Sequence, residues 1–418
     1  MTDPARRLVI AYAFPPYSDT SATVAAKRVF ERGERVDVIQ NAMDEMRSVD
    51  EHLEDIAGDL VARRSILETT ARFSGWQSIE EWCEEGRAQV ETWIAESAAQ
   101  GELVTGPALP WTSLYSRAHF VASHVLAGLI KLDHPDLHWE VEFSDPCSRD
   151  VTGAERYSPA APGELFDQVR RAVSGAGFMP PDTDNAYVWV EYLGYSLGDE
   201  IHFTNQNQAD YMIGLIEDPA LAERVRQRAH ISPHPTLPPA FYHLSDARIA
   251  IDPERINIGY FGNVYGTRSL SPLLDGLAVL PLQDRARLMV HIFTSNPEEI
   301  VDIVEDKGVA DSVRVGPYVP YFDFLALTTQ FDLLLAVDAA LPATAERNPF
   351  LVSKWSDYKG SGRAVWLMED RTSPLGQSED PALVLRTPAG HTSAAAQALA
   401  RLARQGLPAV DPVAVRAG

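Results

Sequence analysis

Two stretches of this 418-residue sequence gather side chains that could do chemistry. The first, GYFGNVYGTRS from Gly259 to Ser269, sets glycines at 259, 262 and 266 just before Arg268. Small residues release backbone amides, a following helix offers its positive end, and a guanidinium adds charge, which together suit a phosphate. Any turn needing positive φ would also take these glycines, so the turn alone leaves the question open. The spacing is not GxGxxG with an acid about 20 residues on, which disfavours a dinucleotide. The second stretch is NPFLVSKWSDYKGSGRAVWLM at 348–368. On a helix beginning near Ser353, the side chains of Lys354, Asp357 and Tyr358 share one face. Lysine near a helix start is electrostatically poor unless an anion is close, and a carboxylate one turn on can accept both hydroxyls of a ribose. The plainer alternative is a surface Lys–Asp pair worth ~0.3–0.5 kcal/mol. Asp145, in Ser144-Asp145-Pro146 after WEVEF, ends a strand and suits a helix N-cap or an Asx-turn before proline.

The elements around these stretches alternate. Leu8–Ala13 (LVIAYA) reads as a buried strand, followed by Phe14-Pro15-Pro16 and the small polar run Tyr17-Ser18-Asp19-Thr20-Ser21. A helix at 22–31 and a strand at 35–40 complete a βαβ unit and begin a parallel sheet. Residues 44–100 have apolar residues at helical spacing and read as several helices, and 116–131 as an amphipathic helix. His119 and His124 on that helix lack HExxH spacing and read as packed or surface residues. Further strands are expected at 139–143 and 199–205. A proline cluster at 233–239 marks a linker. A second α/β series follows, with strands at 256–261, 288–293, 312–315, 331–337 and 364–368. The expected architecture is two doubly wound α/β domains facing a cleft, 1–245 and 246–418, with a helical insertion at about 44–110 in the first.

Composition narrows the function. A formal charge of −23 argues against nucleic acid as a partner, while leaving room for a local basic pocket. Two cysteines, Cys83 and Cys147, without CxxC fit a reducing cytoplasm and argue against a disulfide framework and a thiolate metal site. No run of ~18 apolar residues occurs, so a transmembrane helix is not expected. A peripheral contact through part of 44–110 stays compatible with the sequence. No metal-ligand spacing stands out, so no metal is expected.

FLVSKWSDYKGSGRAVWLM is similar to the SKLYEYLAAGKPVLA type of segment in retaining, nucleotide-sugar-dependent glycosyltransferases of the GT-B fold. These are the family 4-like enzymes of bacterial polysaccharide and cell-envelope synthesis. GYFGNVYGTRSL resembles their GRLxxxKG segment, FPPYSDTSATVAAKR their N-terminal loop, and GDEIHFTNQNQADYM the strand and helix before the linker. The resemblance implies two Rossmann-like domains, the first acceptor-side and the second binding a nucleotide diphosphate-sugar as co-substrate, with no other cofactor. It implies that Gly262, Asn263, Arg268, Ser353, Lys354, Asp357 and Tyr358 bind the donor, with Asp357 on the ribose. Arg268 and Lys354 would neutralise the departing diphosphate, Asp145 would contact acceptor or sugar, and Tyr17, Ser18, Asp19 and Thr20 would form the N-terminal loop of the site. The acceptor would be a glycan, a lipid-linked glycan or a small molecule. Two departures stand out: Asn263 where the family usually has arginine, and proline where it has a sugar-contacting glutamate. A nucleotide-sugar epimerase, or a binding protein that lost catalysis, are the alternative readings.

Overall fold

The computed structural model describes residues 6–101, 109–264, 266–341 and 346–408. Residues 102–108, in the expected insertion, and Tyr265, in the first glycine-rich stretch, lie outside the described residues. The chain divides into two compact units, Met1–Pro235 and Thr236–Gly418.

The first unit carries β1 (Arg6–Ile10), β2 (Val36–Asn41), β3 (Val61–Leu67), β4 (Trp111–Ala118), β5 (His138–Phe143), β6 (Glu200–Phe203) and β7 (Ala229–Ile231). Among the described residues they form one sheet in the order β3-β2-β1-β4-β5-β6-β7, with every neighbouring pair parallel. The second unit carries β8 (Ile256–Phe261), β9 (Leu288–Thr294), β10 (Val313–Pro317), β11 (Leu333–Val337), β12 (Val365–Glu369) and β13 (Leu383–Pro388). Their order is β10-β9-β8-β11-β12-β13, again parallel throughout. Both sheets are doubly wound, as the βαβ rhythm implies. Strand order reverses between β1 and β4 and between β8 and β11, and ligands of such sheets bind beyond the carboxyl ends at that reversal. No helix of the described residues is long and apolar enough to cross a membrane.

Two expectations need correction. Residues 116–118 end strand β4 rather than begin a helix, and the helix there is Ala122–Asp133. Every residue from Leu114 to Ala118 is buried, because a central parallel strand is covered on both faces and shows no alternation to distinguish it from a core helix. Likewise, 44–100 is not a set of helices. It holds two 3-10 turns, the strand β3 and one long helix, Trp76–Gln100. In β3, Arg63 and Arg64 are held by Asp37 and Glu54, so polar residues line a strand that pairs with β2.

Strand β5 explains much of the first unit's electrostatics. Trp139, Val141 and Phe143 face the apolar core, while Glu140 and Glu142 project to the other face and are also buried. Glu142 accepts from Arg28 Nε (3.0 Å), Arg117 Nη1 (2.8 Å) and the Tyr115 hydroxyl (3.0 Å). Burial alone would raise this carboxyl, but Arg28 and Arg117 overcome it and hold it at about 2. Arg28 also donates to the carbonyls of Ser232 and Pro233, fastening the chain where it leaves the sheet. Helix Thr20–Arg32, which supplies Arg28, begins at Asp19 and stops at Gly33, whose φ of 64° is the left-handed cap that glycine favours.

Removing one partner of a buried ion pair costs about 3–5 kcal/mol, because the other charge is left uncompensated. Glu142→Gln is therefore expected to lower unfolding free energy by about that amount in urea titrations near neutral pH. Because the folded pKa is depressed, this contribution is present above the ordinary carboxylate range and is lost as pH falls towards about 2. Equal stability of variant and parent at neutral pH would show that the cluster does not support the fold.

Candidate functional site

In the second unit the residues beyond β8 and β11 meet. Gly262 follows β8 with φ 151°, and its N–H donates to Phe293 O (2.9 Å). A Cβ at Gly262 would lie 3.6 Å from Lys354 Nζ, an ordinary contact, so the ammonium lies against this loop and it is the backbone φ that favours glycine. Lys354 is the N-cap of helix Trp355–Gly360, one residue later than the start expected near Ser353. Arg268 brings a second cation to the same place. Its Nε is buried with no hydrogen-bond partner, and neither it nor Lys354 makes an ion pair or hydrogen bond with any described residue. Burial and then the nearby Arg268 charge push the Lys354 ammonium below its ordinary range, while Asp357 opposes them. Two like charges held together in a crevice, each without a bonded counter-ion among the described residues, have the chemistry to receive an anion.

The neighbouring residues divide between binding and bracing. Asp357 is buried, and its Oδ1 accepts the Tyr321 hydroxyl at 2.7 Å while its backbone carbonyl accepts Tyr242. Burial and the Asp357 carboxylate keep the Tyr321 hydroxyl protonated, so it remains the donor. Tyr358 is 1% exposed, and its hydroxyl accepts the Phe261 N–H at 3.2 Å, which fastens the helix to the end of β8. Asn263 accepts the Ser295 N–H at 3.2 Å and so joins the loops after β8 and β9. Its carbonyl takes the Tyr260 hydroxyl. Ser353 lies half-buried in the turn before the helix.

Asp338, directly after β11, escaped the sequence reading. Its Oδ2 accepts the Asp370 N–H (3.0 Å) and the Ser373 hydroxyl (2.6 Å), while Oδ1 is buried without a partner. Burial pushes this carboxyl up to about 7, against the pull of those two bonds and of Arg268. The signal was present in FDLLLAVD, an apolar strand ending on an acid, but an isolated acid after a strand is also a common turn residue.

The first unit builds a second cluster at its own reversal. Asp19 caps helix Thr20–Arg32 through Ser21 N–H (2.7 Å) and takes Arg47 Nε on its other oxygen (2.7 Å). Burial alone would raise the Asp19 carboxyl, but His119, Arg47 and the capping bond hold it below its ordinary value. Tyr17 donates to Asp44 (3.0 Å) and Ser18 N–H to Ser48 O (2.8 Å), so the loop is stitched to residues 44–48. Thr20 is exposed. His119, one residue past β4, is exposed and packs edge-on to Phe73 and Phe120. Burial pushes the His119 imidazole below its ordinary range, while the charges of Asp19 and Asp145 oppose that shift. The loop carrying Asp145 is pinned on one side by Ser144, bonded to Ala118 O, and on the other by Glu191. Glu191 accepts both Ser148 N–H and Ser148 Oγ at 2.9 Å. The sequence hides His119 because β4, buried on both faces, has the apolar pattern of a helix. Read as a strand, its first following residue falls where ligands bind.

No protein-family model matches the chain, and no curated protein matches it significantly. Solved structures do match. Sucrose-phosphate synthase from Thermosynechococcus elongatus aligns with 99% of this chain and 91% of its own, at 12% identity and TM-score 0.55. WaaG, a glycosyltransferase involved in lipopolysaccharide biosynthesis, aligns over 96% and 90% at 13% identity and TM-score 0.54. A glycosyltransferase from Rickettsia africae aligns over 99% and 92% at 9% identity and TM-score 0.54. With two parallel doubly wound sheets, these likenesses define a GT-B fold.

Asp338 provides a test of the second unit's crevice. A carboxyl whose folded pKa is raised contributes stability that is present below the unfolded pKa and lost as pH rises through the folded value, here about 7. Asp338→Asn keeps an acceptor oxygen without the buried charge. Its stability relative to the parent is expected to increase between about pH 4 and about pH 7 in urea titrations and to level off above. A gap that stays constant with pH would mean that Asp338 does not titrate there.

Proposed function

We propose that this protein is a glycosyltransferase that moves a sugar from a nucleotide diphosphate-sugar to a glycan, lipid-linked or small-molecule acceptor. The reading is carried by the convergence of Arg268 and Lys354 at the sheet reversal of the second unit, with no carboxylate bonded to either among the described residues. A diphosphate leaving group develops negative charge as the glycosidic bond breaks. Preorganised cations that meet this charge in a water-poor crevice lower the barrier without a metal. Asp357, oriented by Tyr321, would hold the ribose, with Ser353 beside it. Gly262 would bring backbone close to the phosphates, while Asn263 and Tyr358 would keep that backbone in place through Ser295 and Phe261. The second unit is thus assigned the donor and the first the acceptor, near Asp19, His119 and Asp145. We further propose retention of anomeric configuration, by front-face attack assisted by the departing phosphate, so no enzymic nucleophile is assigned.

Titration calorimetry with UDP, GDP and dTDP, followed by a nucleotide-sugar panel with mass-spectrometric detection of released nucleotide, tests this reading. One nucleotide is expected to bind. Each hydrogen bond to a charged group is worth about 1.5–3 kcal/mol, so Arg268→Ala and Lys354→Ala should each weaken it by roughly 10–100-fold. Absence of binding by all three nucleotides would remove the donor site from the argument. Binding that survives both substitutions would remove these residues from it, and binding without turnover would favour a nucleotide-binding protein of this fold.

A further inference from the structure

Three aromatic rings form a stack at the order reversal of the first sheet. Tyr12 follows β1, Phe120 follows β4, and Phe73 lies between β3 and the helix Trp76–Gln100. The Tyr12 and Phe120 centroids are 5.2 Å apart with planes at 22°, and those of Phe120 and Phe73 are 4.7 Å apart at 6°. Tyr12 and Phe120 are each 1% exposed, whereas Phe73, at the end of the stack, is 41% exposed. The buried end is anchored where Tyr12 meets Trp82 edge-on at 4.9 Å. The Tyr12 hydroxyl also accepts the Arg72 N–H at 3.2 Å, which fastens the backbone one residue before Phe73. Both the ring and the chain that carries it are therefore held before any ligand arrives.

We propose that the outer face of Phe73 is a platform on which a pyranose ring of the acceptor lies. Phe120 covers the inner face. Arg47 Cζ is 5.5 Å from the Phe73 centroid and 5.8 Å from that of Phe120, and the His119 ring is 5.7 and 5.2 Å from the same two centroids. Such near-equal distances put both groups beside the stack, since anything seated on the outer face would be much farther from Phe120 than from Phe73. A pyranose presents a face of C–H groups, which the negative face of an aromatic ring attracts, and a rim of hydroxyls. The flanking side chains suit that rim. Neither ring nitrogen of the exposed His119 has a hydrogen-bond partner among the described residues, and a neutral imidazole offers one donor and one acceptor. Arg47 uses Nε on Asp19 and Nη1 on the Met46 carbonyl, which leaves Nη2 for a hydroxyl. Charge favours a neutral ligand, because Asp19 already pairs with Arg47 and Glu45 with Arg72, and burial disfavours the imidazolium of His119. A flat aromatic ligand would meet the ring face and leave the imidazole and guanidinium unanswered. That the sugar belongs to the acceptor rests on the assignment of the first unit proposed above; the platform itself does not need a donor.

Saturation-transfer difference NMR on the full chain tests the platform, with the methyl pyranosides of glucose, galactose, mannose and N-acetylglucosamine as probes and phenol as the aromatic alternative. At least one pyranoside is expected to bind saturably, with the strongest transfer to the C–H protons of one ring face. Phe73→Ala and Phe73→Leu should each weaken that binding by about 10-fold, and Phe73→Tyr should keep the parental affinity. All three substitutions alter an exposed side chain, so their melting temperatures should stay near that of the parent. Titration with UDP, GDP and dTDP separates this proposal from the donor reading, because the nucleotide that binds the parent should bind Phe73→Ala equally. Absence of pyranoside binding would overturn the platform whether or not phenol binds, and a nucleotide that still bound would leave the donor reading standing. Pyranoside binding lost in Phe73→Ala, with no nucleotide bound by the parent, would keep the platform and remove the donor reading. Pyranoside bound equally by parent and Phe73→Ala would overturn the platform by placing the sugar elsewhere.

Discussion

Parallel strand pairing is the constraint on which everything else rests. A parallel strand cannot be reached by a hairpin, so each pair is joined by a crossover, and the crossovers cover both faces of the sheet. In both units the loops that follow the strands therefore collect at one edge, and the order reversals at β1/β4 and β8/β11 open a crevice in that edge. Gly262, Arg268 and Asp338 border one reversal, and Asp19 and His119 the other. Their convergence needs no special loop geometry, since it follows from where the strands end.

The two sheets use their buried faces differently. Around β8 and β9 the second unit packs aromatic rings, with Phe261 stacked on Phe293 at 4.6 Å and meeting Phe324 and Phe331 edge-on. The first unit instead buries charge, with Glu140, Glu142 and Asp37 each met by arginines. Such pairs contribute little net stability compared with apolar packing, yet they tolerate no missing partner. They also fix register, because a strand shifted by one residue would turn its carboxylates away from their arginines and into the apolar core.

Much of this could be read from the amino-acid order. The apolar runs at β8, β9, β11 and β12, with the glycine-rich turn after β8, gave the second sheet and the loop that carries Arg268. Helical spacing placed Lys354 and Asp357 together. What escaped was whatever depends on a neighbour distant in sequence. β4 is buried on both faces and so lacks a period, and with it went the meaning of His119. The arginines of β3 look like surface residues until Asp37 and Glu54 are seen to receive them. Tyr358 belonged by spacing to the ligand face, yet its hydroxyl is turned to the amide of Phe261. No pattern in the sequence reports which partner a phenol will choose.

That bond between Tyr358 and Phe261 has a consequence for how a ligand would be met. It mounts the short helix on the sheet through one oxygen, so Lys354 inherits the stiffness of β8 rather than the looseness of a connection. Backbone ordered when the chain folds adds no ordering cost of its own when an anion arrives. Arg268 stands on a loop tied back through the bond from Ala340 N–H to Thr267 O, 2.7 Å long. Both cations thus stand on backbone fastened to the ends of strands, one through Tyr358 to β8 and one through Ala340 beyond β11.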